Sequence, residues 1–332
     1  MSAAKFITVY GATGTQGGSV INSLLQNKSH GFSLRAISRN PESDKAKALA
    51  ARGVEVVKGD GFVKEQMVEA FKGSWGAFVN TNGADPALHQ PGGLSESDLG
   101  KLIVDAAFEA GVQHFVYSGM ASASMTTNGA VPSQGFDEKY AVGEHAKSRG
   151  FKSVAIVSPG WYMENHAVPE IADILGGFPF NADDEGFLTL HVPRWGGNDE
   201  IPFIAIEDDY GDFVHGVFLH PEAYNGRFIQ AISETAKPEK LVDEFQKITG
   251  KKSRYVPVED WRSVETYGSP EIETVKTMFG FCQHSGGRYF GEVNNIGPAR
   301  EIKAKVAAAK GLPAGEGALM TLEKFMGKHF SA

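Results

Sequence analysis

The sequence predicts an α/β protein built on a doubly wound parallel sheet, and three observations carry that expectation. Strand-like apolar runs alternate with helical patterns through the first half of the chain. A glycine-dense turn, Gly11-Ala-Thr-Gly14-Thr-Gln-Gly17, sits between the first strand and the first helix. With 332 residues, 42% of them hydrophobic, the chain can bury a large core on both faces of such a sheet.

Taken in order, the expected strands span 6–10, 33–38, 54–58, 76–80, 114–118 and 153–158. The helical patterns between them span 16–26, 43–52, 64–72, 95–110 and 137–148. Gly53, Gly111 and Gly150 follow three of these helices, where a left-handed residue closes the last turn. Ser95 or Ser97 supplies an N-cap for the long fourth helix. After about residue 159 the rhythm changes. The strand-like pieces FLTLHV, PFIAI, RFIQAI and RYVPV are mixed with helical patterns at 208–220, 237–249, 260–267 and 270–281, and the tail at 299–312 reads as another helix. The expected division is a dinucleotide-binding domain over 1–158 and a smaller α/β substrate lobe over 159–332, the two interleaved in space.

Charge and composition exclude several function classes. The net charge is −8 with no block of Lys or Arg, which speaks against an extended phosphate backbone and so against nucleic acid as a partner. One cysteine, Cys282, leaves no internal disulfide framework and fits a reducing compartment. A buried, inert thiol is favoured over a reactive one, because nothing near it in sequence resembles a catalytic triad. No run approaches the roughly 18 apolar residues of a membrane span, and the N-terminus lacks a signal-peptide layout, so a cytoplasmic protein with no membrane partner is expected.

The glycines suit a dinucleotide. Gly11 permits the tight turn, Gly14 lets backbone approach a pyrophosphate, and Gly17 allows the helix to pack closely on the sheet. Thr13, Thr15 and Gln16 share that loop, whose helix start offers free N–H groups and the positive end of a dipole. A turn that serves packing alone is the plainer alternative. An NAD binder carries Asp or Glu at the end of the second strand, whereas this chain has Arg39 there, followed by Asn40 and Pro41. A guanidinium can hold a 2′-phosphate bidentately, with Ser38 and Lys58 as supporters, so NADP is expected over NAD. A solvated arginine in a turn is the competing reading. Asp60 with Gly61 ends the third strand and can border the adenine. Asn80, Thr81 and Asn82 follow the fourth, and Ser118 ends the fifth. All fall at strand C-termini, where open α/β sheets bind ligands.

These pieces together resemble the NmrA-like family, an atypical branch of the Rossmann-type short-chain dehydrogenases and reductases. The resembling stretches are VYGATGTQGGSV, SRNP, GDGF, GVQHFVYSG, FDEKYAVGEHAKSRG, SPGWYMEN and IEDDYGDFV, in family order over most of residues 5–215. The C-terminal third fits more loosely. The resemblance implies an NADP-binding protein of one of two kinds: a redox sensor or transcriptional regulator, or an NADPH-dependent reductase like those of the isoflavone and benzylic ether branches. Many fungal members of this type stand beside natural-product pathways.

The usual Tyr-x-x-x-Lys dyad is absent, since Tyr140 follows Lys139 directly and Tyr117 has Ala121 four residues on. By resemblance, Lys139 fills the lysine position of the reductase branches, where it contacts the nicotinamide ribose. A helix start and a cationic nicotinamide would depress its pKa and suit it to acid/base work. A surface lysine paired with Asp137 or Glu138 is the plainer reading. After the sixth strand, Pro159 and Gly160 turn the chain toward the nicotinamide end, followed by Trp161, Tyr162, Glu164, Asn165 and His166. Tyr162 is the preferred proton donor and His166 the second. Asn165 matches the family pair Glu-Asn and fixes the loop. No metal-ligand spacing is present, and Asp208 or Asp209 reads as a helix cap. Phe178, Phe180, Phe187, Trp195 and Trp261 read first as core, with a substrate cavity as the alternative. Residues 82–93 form a Gly- and Pro-rich candidate lid at the ligand edge.

The expected function is an NADP(H)-dependent oxidoreductase acting on a carbonyl, imine or conjugated double bond of a small aromatic or secondary-metabolite substrate. The alternative is a non-catalytic sensor of NADPH and NADP+ that regulates a protein partner; a homodimer is left open.

Overall fold

Six strands of the first half and one from the second form a single parallel sheet in the computed structural model, which describes residues 5–29, 31–313 and 315–331. The chain enters with β1 (Lys5–Tyr10), α1 (Thr15–Leu25), β2 (Phe32–Ser38), α2 (Asp44–Ala50), β3 (Glu55–Lys58), α3 (Lys64–Phe71) and β4 (Gly76–Val79). It continues through α4 (Glu96–Glu109), β5 (His114–Tyr117), a short α5 (Ala123–Thr126), α6 (Gln134–Ser148) and β6 (Ser153–Pro159). Strand order is completed by β10 below, running β10-β6-β5-β4-β1-β2-β3. Strands β4, β5 and β6 are buried along their whole length, as expected where helices cover both faces. Because β2 and β4 lie on opposite sides of β1, the order reverses there, and a crevice opens beyond the C-termini of β1 and β4.

The second half adds β7 (Trp161–Tyr162), β8 (Leu188–Leu190), β9 (Ile201–Ile204), α7 (Gly211–Leu219), β10 (Phe228–Ala231), β11 (Glu234–Ala236) and α8 (Pro238–Thr249). It closes with β12 (Ser253–Tyr255), α9 (Pro270–Ser285), α10 (Gly297–Lys310) and α11 (Leu322–Phe330). The small sheets β11-β9-β7 and β12-β8 belong to this half, whereas β10 pairs with β6 in the main sheet. Helix α7 lies on α1 so closely that a Cβ on Gly211 would fall 2.1 Å from the Ser19 carbonyl oxygen. Among the described residues three apolar clusters result: one under α1, α7 and α10, one under α3, α4 and α6, and one that packs the second half against Ala123, Val131 and Phe136.

Two expectations for the second half are corrected. Residues 260–267 are not a helix; only the turn Trp261–Ser263 is helical, capped by Asp260. Helix α7 begins at Gly211 after a wide turn, Ile206–Tyr210, and has no side-chain cap. Asp209 is instead buried, with Oδ1 2.6 Å from the Lys303 ammonium and Oδ2 accepting from the Ser233 hydroxyl and the Met320 N–H. Cys282 is fully buried in the second-half core, where desolvation pushes its thiol pKa well up. Trp195 and Phe178 are fully buried there as well. Among the described residues, no helix is long and apolar enough to cross a membrane.

Candidate active site

The crevice at the switch point begins with the glycine turn. Gly11 takes φ +80°, and a Cβ there would meet the Asn80 carbonyl oxygen at 2.9 Å. Helix α1 starts at Thr15 with no side-chain cap and no acidic residue in its first turn, so its leading N–H groups stay available to an anion. Gly11, Thr13, Gly14, Thr15, Gln16, Arg39, Asn80, Thr81, Asn82, Ser118, Lys139, Pro159 and Tyr162 all border one cavity of about 540 Å³. Ser38 borders it too, whereas Lys58 does not.

The structure leaves five further expected residues outside that cavity. Gly17 lies behind the turn, where a Cβ would stand 2.2 Å from the Gly11 carbonyl oxygen, so its smallness serves packing. Asp60 turns its Oδ1 back to the Phe62 N–H at 3.1 Å. Gly61 packs against the Tyr10 hydroxyl, and Gly59 reaches the wall in their place. Asn165 borders a neighbouring cavity instead. His166 is corrected as a proton donor. It is 2% exposed, its Nε2 accepts from Trp161 Nε1 at 3.2 Å, and Phe178 and Phe203 face its ring. Burial pushes its pKa down to about 3, which keeps the ring neutral and sealed in the second-half core.

Lys139 and Tyr162 sit where the first cavity meets a second one of about 660 Å³; Gly83 and Met120 are shared as well. The Lys139 ammonium donates to Glu96 Oε1 at 2.6 Å, to the Thr81 carbonyl at 2.9 Å and to the Thr81 hydroxyl at 3.1 Å. The Thr81 hydroxyl donates to the same Glu96 oxygen at 2.6 Å and lies 3.0 Å from the Tyr117 hydroxyl. Burial works against the charge on Lys139, but Glu96 outweighs it and the pKa rises. The expected depression is therefore corrected: Glu96, at 5% side-chain exposure, holds the proton on the lysine. Neither Asp137 nor Glu138 is the partner. Asp137 accepts from Ser122 and Ser124, while Glu138 accepts from Gln134 and the Ser97 N–H.

Tyr162 is half-buried, and its hydroxyl accepts from Gln16 Nε2; burial raises its pKa. The other end of that amide, Gln16 Oε1, is buried without a hydrogen-bond partner beside the helix start. An uncapped helix N-terminus, a turn held open by Gly11 and an unpartnered amide oxygen make a cradle whose chemistry fits a dinucleotide. Sequence reasoning missed Tyr10, Gly59, Leu99 and Met120 on the cavity wall, and it reached Gly83 and Asp85 only as members of the 82–93 segment at the ligand edge. Glu96 was missed as well, because it stands 43 residues from Lys139 with no local spacing to announce the pair.

Comparison with known proteins identifies the family of the chain. A model of the NmrA-like family matches residues 3–310. An NmrA-like family domain-containing oxidoreductase from Cladobotryum sp., FrzB, is 47% identical over 331 residues, covering 98% of each chain. Another, hkm9 from Aspergillus hancockii, is 45% identical over 98% of this chain and 97% of its own. At the level of fold, the chain is similar to NmrA, a negative transcriptional regulator solved with NADP. That likeness has a TM-score of 0.75 and 22% identity over 98% and 95% of the two chains. It is also similar to the Citrobacter sp. triphenylmethane reductase solved with NADP(H), with a TM-score of 0.70 and 18% identity over 98% and 99%. With a family match over nearly its whole length and relatives above 40% identity, the chain belongs to the NmrA-like family, among its oxidoreductases.

Proposed function

We propose that the chain is an NADP(H)-dependent reductase of a small organic molecule. The observation that carries this reading is the junction of two cavities at Lys139 and Tyr162, one led by an uncapped helix start and the other open for a substrate. A reduced nicotinamide bound there supplies a hydride from C4. The chain's own residues do the rest. The first turn of α1 would bind the pyrophosphate, Arg39 would bind the 2′-phosphate, and Lys139, held by Glu96 and Thr81, would stand beside the ribose as a fixed positive charge.

Among carbonyl, imine and conjugated double bond, the second cavity favours a C=N group that enters as a cation. Glu96, Glu138, Glu271 and Glu273 line it, against Lys139 and His89 as the basic side chains. Met120, Leu88, Phe136 and Pro270 supply apolar wall. Hydride addition to an iminium carbon sends the C=N π pair to nitrogen and cancels its charge, so no proton has to be delivered. That matches a site in which Lys139 has all three donors engaged and His166 is sealed away. For a carbonyl, Tyr162 is the residue placed to give the proton.

The test is calorimetric titration with NADPH, NADP+, NADH and NAD+, then turnover of a cyclic iminium, its ring-matched ketone, a quinone and an enone. Phosphate-selective binding and iminium reduction that survives Tyr162→Phe are expected. Preference for the ketone, lost in that variant, would overturn the substrate assignment. Tight binding with no turnover of any acceptor would favour a sensor that presents its surface to a protein partner.

A further inference from the structure

One ion pair ties the end of β2 to the segment after β4. Arg39 Nη1 stands 2.7 Å from Asp85 Oδ2, and both residues border the first cavity. Their freedom differs: the Arg39 side chain is 61% exposed and that of Asp85 only 10%. Asp85 is also anchored. Its Oδ1 accepts from the Ala87 N–H at 3.0 Å, capping the helical turn Pro86–His89, and its own N–H donates to the Asn82 carbonyl at 3.1 Å. The acid is the fixed member and the base the movable one. Tyr10 and Asp60 are titratable groups on the same side of the pair, Lys58 is the strand partner of Ser38, and His89 belongs to the Asp85 segment. Burial raises the Tyr10 pKa to about 12, with Arg39 opposing and Asp60 and Asp85 adding to it.

A protein that takes NAD usually presents a carboxylate at the end of β2 to accept from the ribose 2′-hydroxyl. Here the end of β2 carries Arg39, and a carboxylate arrives at the same place from the segment after β4. A 2′-phosphate on Arg39 would sit beside an anchored anion, whereas a 2′-hydroxyl would meet a ready acceptor.

We propose that Asp85 is the specificity-determining residue for the dinucleotide, competing with a 2′-phosphate for Arg39. The inference rests on the dinucleotide reading of this cavity. A phosphate-bearing dinucleotide then parts Arg39 from Asp85, and one with a 2′-hydroxyl leaves them paired. Gly83, Ala84, Leu88 and His89 of the same segment wall the second cavity, so the identity of the dinucleotide reaches the substrate side through this pair.

The experiment uses the full chain and reads binding rather than turnover. Asp85→Asn removes the charge and keeps a good capping side chain; Asp85→Ser does the same with a hydroxyl. Calorimetry should show both variants binding NADPH about five-fold more tightly than the wild type, the scale of one partly exposed ion pair. NADH should bind them no more tightly than it binds the wild type. Hydrogen exchange at 82–90 should rise when the wild type binds NADPH and stay unchanged with NADH. If Asp85→Asn and Asp85→Ser weaken NADPH or leave it unchanged, Asp85 orients Arg39 rather than competing for it, and the proposal falls while the dinucleotide reading stands. If the wild type binds neither NADPH nor NADH, the dinucleotide reading fails and takes this inference with it.

Discussion

Lys139 is where burial and pairing compete for one proton, and pairing wins. Glu96 and Thr81 engage every donor of its ammonium, and the pKa rises although desolvation pulls it down. Glu96→Gln removes that support and leaves a largely buried charge. Urea unfolding at pH 7 should show a loss of about 3 kcal/mol, and the double variant with Lys139→Met should lose less than Glu96→Gln alone. The pH sign follows from the raised pKa. The pair's contribution is complete below the unfolded lysine value of about 10.4 and fades only as pH rises through the folded one, so it should be flat from about pH 6 to 9. In Glu96→Gln the folded pKa drops, and stability should acquire a slope within that range. Lys139 itself was legible in the sequence through the motif around it. Its partner was not, because a contact between two helices leaves no periodic trace in either.

The strand-turn-helix at the N-terminus was the most legible element, since steric demands act there over a few residues. Gly17 and Gly14 should separate those demands experimentally. A Cβ on Gly17 meets backbone, with the Gly11 carbonyl oxygen at 2.2 Å, whereas one on Gly14 finds its nearest neighbour at 3.4 Å. Gly17→Ala should lower stability by about 2–3 kcal/mol in thermal or urea unfolding and lose NADPH binding with it. Gly14→Ala should keep wild-type stability within about 0.5 kcal/mol while weakening NADPH, because the added methyl enters the phosphate cradle and not the core. Elements of the second half were harder to read. The pattern at 260–267 looked helical, yet tertiary packing left only Trp261–Ser263 in that form. Asp209 stood where a cap would stand, but Lys303 and Ser233 claimed its carboxylate.

At the scale of the molecule, a buried ionic cluster knits α1, α7 and α10 together. Lys303 lies 2.6 Å from Asp209 and 2.7 Å from Asp212; Lys310 also pairs with Asp212, and the Ser23 hydroxyl donates to it. Lys303→Met should cost about 3–5 kcal/mol by leaving Asp209 without its ion-pair partner. Burial raises the Asp212 pKa, but Lys303 and Lys310 outweigh it and hold it low. Its stabilising share is therefore present above the unfolded value of about 3.9 and is lost as pH falls through the folded one. Asp212→Asn should accordingly be less stable at pH 7 and lose less on going to about pH 3 in urea titrations than the wild type does. The sequence by itself determined the alternation of strands and helices, the glycine turn leading into α1 and Arg39 at the end of β2. Each of these is set by sterics, periodicity or chemistry within one turn or one strand. Only the tertiary structure decided that Glu96 holds Lys139, that Asp85 meets Arg39, that His166 is sealed in the core and that β10 completes the sheet. Apart from Trp161, which stands five residues before His166, the partners lie far apart along the chain and are brought together by packing, which no local pattern records.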